Sequence, residues 1–120
     1  MNREIKFRIW NKIENEYAYM KIEKEIPVFV SKSRKTVLSA YWLFKKNNKL
    51  VVEQYTGLKD VHGVEIYEGD EIEFNGTKGK VEWDNNTTSF RFKSYTSIYS
   101  LAFLKYNIIN IEVVGNIHES

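Results

Sequence analysis

The chain opens on a strict alternation. In REIKFRIW, Ile5, Phe7 and Ile9 fall on one face and Glu4, Lys6, Arg8 and Trp10 on the other. That two-residue period predicts a half-buried strand. The polar NKIENE supplies a turn, and YAYMKIE starts a second run with Tyr17, Tyr19 and Lys21 on one face, so a β-hairpin is expected. Trp10 lies on the wrong face for that core. Pro27 and the basic loop VSKSRKT then interrupt the pattern. Residues 37–44 read either as a short helix through Val37, Tyr41 and Phe44 or as a strand buried on both faces. Strand–turn–strand is the favoured reading across this stretch and the polar KKNNK that follows.

From Gln54 the alternation returns, broken at short intervals by turn residues. TGLKDVHGVEIY sets Asp60 and Gly63 at the first and fourth positions of a type I turn, with Gly63 supplying positive φ beside a bulge. YEGDEIEF turns at Gly69-Asp70, after which Ile72 and Phe74 alternate with Glu71 and Glu73. Asn75-Gly76 is a hairpin signal. Val81 and Trp83 then alternate against Lys80 and Glu82, and Phe90 and Phe92 share a face. SIYSLAFLKYN is a strand or a helical turn, and NIEVVGNI closes the chain as a strand. Turns every eight to ten residues predict a small, strongly bent sheet or barrel. Gly57, Gly63, Gly69 and Gly115, with Asp60 and Asp70, are read as structural turn residues, the glycines for backbone geometry and the aspartates for hydrogen bonds to nearby N–H groups.

Composition narrows the class. The 120 residues make one domain, read as two lobes, 1–52 and 53–120. Cysteine is absent, which excludes disulfides, thiolate metal sites and a cysteine nucleophile. Apolar runs are too short for a membrane helix and MNREIKFRIW is no signal peptide, so a cytoplasmic location is expected. Net charge is only +2, but its distribution is uneven. Ile26–Val52 carries Lys32, Arg34, Lys35, Lys45, Lys46 and Lys49 without an acid; Glu53–Glu73 carries Glu53, Asp60, Glu65, Glu68, Asp70, Glu71 and Glu73 against Lys59 alone.

Three chemistries compete for these residues. Asp60, Glu65, Glu68, Asp70 and His62 could form a divalent-metal or acid–base site, as in a metal-dependent hydrolase. They are spread over two strands and two turns, however, and match no ligand loop. His62 and His118 show no triad spacing. The basic segment 32–49, interleaved with Tyr41, Trp42 and Phe44, is a candidate nucleic-acid surface. Trp83, Tyr95 and Tyr99 are candidates for a protein-binding surface.

The opening REIKFRIW, the central QYTGLKDVHGVEIYEGDEIEF, the later VEWD and the closing IEVVGNI together resemble the YopX family. Tyr55-Thr56-Gly57-Leu58, Asp60, Gly63 and Ile66-Tyr67-Glu68-Gly69-Asp70 carry the most specific part of the likeness. The resemblance implies a phage or prophage origin in Gram-positive bacteria, an SH3-like barrel in the C-terminal half, and no established enzymatic activity or catalytic residue.

The expected protein is mainly β: an N-terminal β-hairpin lobe and a C-terminal SH3-like barrel, with at most one or two short helices. Its expected role is a non-enzymatic interaction module that binds a host or phage protein, with nucleic-acid binding through 32–49 as the alternative. No cofactor and no membrane partner are expected. Self-association is expected through an edge strand, Glu4–Trp10 or Glu112–Ile117.

Overall fold

The computed structural model describes residues 4–45, 47–107 and 110–119. The chain divides into two units, Glu4–Gln54 and one that starts at Tyr55, two residues beyond the boundary expected from the charge pattern.

The first unit contains β1 (Phe7–Asn11), β2 (Glu16–Glu23), β3 (Ile26–Ser31), β4 (Val37–Ser39), a 3-10 helix (Ala40–Leu43) and the first half of β5 (Leu50–Lys59). Its antiparallel ladder runs β4-β3-β2-β1-β5. Ile9 faces Ala18 on one side and Val52 on the other, and Met20 faces Phe29. The register therefore places Ile9, Ala18 and Phe29 in one buried layer, flanked by Phe7, Met20, Leu38, Leu50 and Val52. Residues 37–44 resolve the helix-or-strand question as both: a three-residue strand, then a single helical turn that packs Trp42 and Leu43 on this layer.

Two expectations change here. The strand in REIKFRIW is not an edge, because β1 is hydrogen-bonded to β2 and to β5, so it cannot pair with a second copy. Pro27 does not end a strand but sits second in β3, opposite Ile22. The closing pair of that hairpin is Glu23↔Ile26, so Pro27 occupies a non-hydrogen-bonded position towards β2. On its other side β4 pairs only with 28–30, so no ladder bond is lost. Lys24 and Glu25 form the turn itself with φ of 49° and 69°, a left-handed pair without glycine.

The second unit uses the rest of β5 with β6 (Glu65–Tyr67), and a five-stranded sheet of β7 (Asp70–Phe74), β8 (Thr77–Asp84), β9 (Ser89–Lys93), β10 (Ile98–Ser100) and β11 (Glu112–Asn116). Helix α1 (Leu101–Asn107) follows β10 directly. The sheet order is β10-β9-β8-β7-β11, and it does not close on itself. The mainly β expectation holds, with one short α-helix; β10 and β11 lie at the ends of this sheet, and closure into a barrel is not seen among the described residues. Ile66, Ile72, Phe74, Val81, Phe90, Phe92 and Ile111 form its core, and α1 adds Leu101 and Leu104 at helical spacing. Among the described residues no helix is long and apolar enough to cross a membrane.

Asn75 and Gly76 link β7 to β8 with φ of 50° and 77°, the left-handed pair of a type I′ turn. Gly79, in β8, is constrained by space. A Cβ there would lie 2.5 Å from Phe92 Cε1 and Cζ and 2.6 Å from the Lys93 carbonyl oxygen. The ring is buried and the carbonyl belongs to the neighbouring strand, so neither can retreat freely. Gly79→Ala is expected to cost about 2 kcal/mol in denaturant unfolding. A change within experimental error would show that Phe92 has room to move.

Candidate functional site

Two carboxylates of the Gln54–Phe74 segment, Asp60 and Asp70, accept backbone N–H groups. Asp60 Oδ1 accepts the N–H groups of His62 and Val64, both at 2.8 Å, and Oδ2 accepts that of Val113 at 3.0 Å. The Gly63 N–H donates to the Asp60 carbonyl at 3.0 Å, closing the turn, and Gly63 has φ of 81°. Val61 N–H donates to the Ile111 carbonyl. One buried carboxylate thereby joins the β5–β6 turn to β11, more than fifty residues away in sequence. Burial pushes the Asp60 carboxyl up; the three N–H groups and the charge on His62 outweigh it and hold the group below its ordinary value.

Asp70 has the same use one turn later. Its Oδ2 accepts the Tyr67 N–H at 2.8 Å across Glu68-Gly69, and Gly69, with φ of 89°, donates to the Val81 carbonyl and accepts from Ile117 N–H. Gly57 lies within β5, where φ of 88° accompanies a register shift between Tyr55 and Leu58. Thr56 secures this bulge by donating its hydroxyl to the Ile66 carbonyl at 2.6 Å. Gly115 differs from the turn reading. It sits inside β11 at a second register shift, where an added Cβ would meet only the Glu119 side chain, at 2.9 Å.

The remaining acids do not gather. Glu71 and Glu73 stand opposite Lys80 and Lys78 on β8. Glu112 faces Glu73 across the β7–β11 pair, with His62 Nε2 3.5 Å from Glu112. A cleft of about 310 Å³ lies between Val61, Phe74, Asn75, Asn110 and these two glutamates. Among the described residues no three His, Asp or Glu side chains are placed to hold one metal ion.

Glu53 leaves the acidic group altogether and forms a site that the linear pattern conceals. Its Oε1 accepts from Arg8 Nε and from the Tyr17 hydroxyl, each at 2.8 Å. The Arg8 guanidinium carbon lies 3.9 Å from the centre of the Tyr17 ring, whose edge meets Trp10 at 4.9 Å. The Arg8 and Glu53 side chains are 5% and 3% exposed. A charged pair so dry holds a sheet face together, and its members come from strands 45 residues apart.

The basic segment also contains an acid in space that it lacks in sequence. Glu16, on β2, accepts hydroxyls from Ser33 and Thr36 at 2.6 Å each. Those bonds, with Lys35 nearby, hold its carboxyl below the ordinary value. Lys32, Arg34 and Lys35 are exposed on the β3–β4 turn, Arg34 with φ of 63°. Lys45 is exposed with its amine 5.8 Å from the Tyr41 ring, and Lys49 is exposed before β5. Lys46 lies outside the described residues.

The aromatic candidates separate. Tyr99 packs against Phe74 and Phe92 and stacks on Phe103 at 5.4 Å and 11°, so it is largely core. Trp83 lies at the rim of the same face, edge-on to Phe90, with its indole N–H on Asn85. Tyr95 is fully exposed in the turn before β10. Exposure continues past it: Ile98, Phe103 and Tyr106, which the alternation did not single out, also face solvent.

Fold and geometry define a two-unit antiparallel β protein whose central acids serve as acceptors for its own backbone. Residues 6–120 match the family described as YopX protein, and the chain belongs to that family. Its fold is similar to that in the crystal structure of protein EF1440 from Enterococcus faecalis, with a TM-score of 0.62 over 98% of this chain and 96% of that one. Identity between the two is 20%, so the likeness concerns the fold alone. Comparison with curated proteins gave no match.

Proposed function

We propose that this chain acts by binding a partner protein and not by catalysis, through the surface around β10. The observation that carries this reading is the exposure of Tyr95, Ile98, Phe103 and Tyr106 on and beside an open edge strand. An edge strand offers unpaired backbone groups, and aromatic side chains bring large apolar area at low entropic cost; the two together suit a partner that covers apolar surface. The engagement of Asp60 and Asp70 by backbone N–H groups supports a structural role for the acids. A phage or prophage origin, with a host or phage protein as the partner, belongs to the same reading.

The test compares the protein with a Tyr95→Ser, Tyr106→Ser double variant, whose rings are exposed enough that folding is little affected. Both are used to capture proteins from a nuclease-treated Gram-positive lysate. A protein retained by the parent and reduced at least tenfold with the variant is expected, the size of effect typical of an interface anchor. Equal capture by both, or metal-dependent turnover that disappears with Asp60→Asn, would overturn the proposal.

A further inference from the structure

The first unit gathers cations that are scattered in the sequence. Asn11 ends β1 opposite both Glu16 and Leu50, Ser31 ends β3, and Val37 begins β4 opposite Val30. These registers bring the turns 12–15, 32–36 and 47–49 to one end of the ladder. Side-chain and backbone bonds join them: Asn11 Nδ2 donates to Thr36 Oγ1 at 3.0 Å, and Lys12 N–H donates to the Lys49 carbonyl at 2.9 Å.

Lys12, Lys32, Arg34, Lys35 and Lys49 are all exposed on these turns. Of the carboxylates at this end, Glu14 is exposed on the first turn, while Glu16 is occupied by the Ser33 and Thr36 hydroxyls. Lys45 follows on the chain segment that enters 47–49, beside two aromatic rings at the surface. Phe44 is 90% exposed and Tyr41 58%. A phenylalanine so exposed contributes nothing to the core, and it is the chain neighbour of Lys45, whose amine faces the Tyr41 ring.

We infer that the exposed cations of the first unit, together with Phe44 and Tyr41 beside Lys45, bind single-stranded nucleic acid. Lysine and arginine ammonium and guanidinium groups neutralise the phosphates, while unpaired bases stack on Phe44 and Tyr41. A duplex hides its base faces and can use only the cations. The Ser33 and Thr36 hydroxyls tie the turn 32–36 to Glu16 on β2. This surface belongs to the first unit and is independent of the β10 surface in the second.

The test uses fluorescence anisotropy with a labelled oligothymidylate of about 20 nucleotides and an abasic strand of the same length. Affinity for the oligothymidylate is expected to fall steeply with salt. Lys32→Glu with Lys35→Glu is expected to weaken it about tenfold and to flatten the salt dependence. Phe44→Ala, at an exposed position, is expected to weaken it about tenfold while leaving the abasic strand unaffected. The Tyr95→Ser, Tyr106→Ser variant should bind as the parent does, which separates this inference from the protein-binding proposal. Absence of salt-dependent binding, equal affinity for the abasic strand, or indifference to both sets of substitutions would overturn it.

Discussion

Glu53→Ala is expected to destabilise the protein by about 3–5 kcal/mol, read as a loss of denaturant midpoint at unchanged slope. The carboxylate receives both Arg8 and Tyr17 on one oxygen in a site from which water is nearly excluded. Its removal takes this carboxylate from a nearly buried guanidinium, and a buried charge that loses a partner costs more than the attraction lost. Arg8→Met combined with Glu53→Leu should recover most of the stability, because neither charge then remains. If Glu53→Ala costs less than about 1 kcal/mol, the pair is solvated and this account of the sheet face fails.

Asp60→Ala has the second largest expected effect, about 3 kcal/mol, since three backbone N–H groups lose their acceptor at once. Asp60→Asn should cost less, because one amide oxygen still serves His62 and Val64 while the amide nitrogen confronts the Val113 N–H. The charge adds a pH dependence whose sign follows from the lowered carboxyl. A group depressed in the folded state contributes its full stability above its unfolded value of about 4 and loses it as pH falls through the folded value. Acid unfolding should therefore be shallower in Asp60→Asn than in the parent. Identical acid profiles would mean that Asp60 titrates alike in both states.

What the sequence reveals depends on whether a feature is local. Asn75-Gly76 is legible because its positive φ is required within a two-residue turn. The alternation through Ile72, Phe74, Val81, Phe90 and Phe92 marks the buried face because one strand suffices to express it. The same period in REIKFRIW gives the strand but not its place, since a central and an edge strand alternate alike. Arg8 reads as a solvent residue until β5 is laid beside β1 and Glu53 arrives opposite. Gly79 resembles any turn glycine, and only the Phe92 ring explains it. Lys24 and Glu25 form a left-handed turn without the residues that normally announce one. Barrel closure is not legible in the pattern, which specifies strands and turns, whereas closure depends on how distant strands pair.

Asp60 shows how the same residues can suggest different chemistries. Grouped carboxylates beside a histidine look reactive in a line of text. In the fold, Asp60 points at its own backbone and at β11, Asp70 at Tyr67, and Glu53 at Arg8. The most exposed aromatic rings of the second unit, Tyr95 and Tyr106, lie outside that segment.

The central claim is that recognition occurs around β10 and that Gln54–Phe74 is scaffold. Hydrogen–deuterium exchange tests it most directly, comparing the protein alone with the protein saturated by the partner captured from nuclease-treated lysate. New protection should fall on peptides covering 95–107. Protection confined to 54–74, with 95–107 unchanged, would contradict the account.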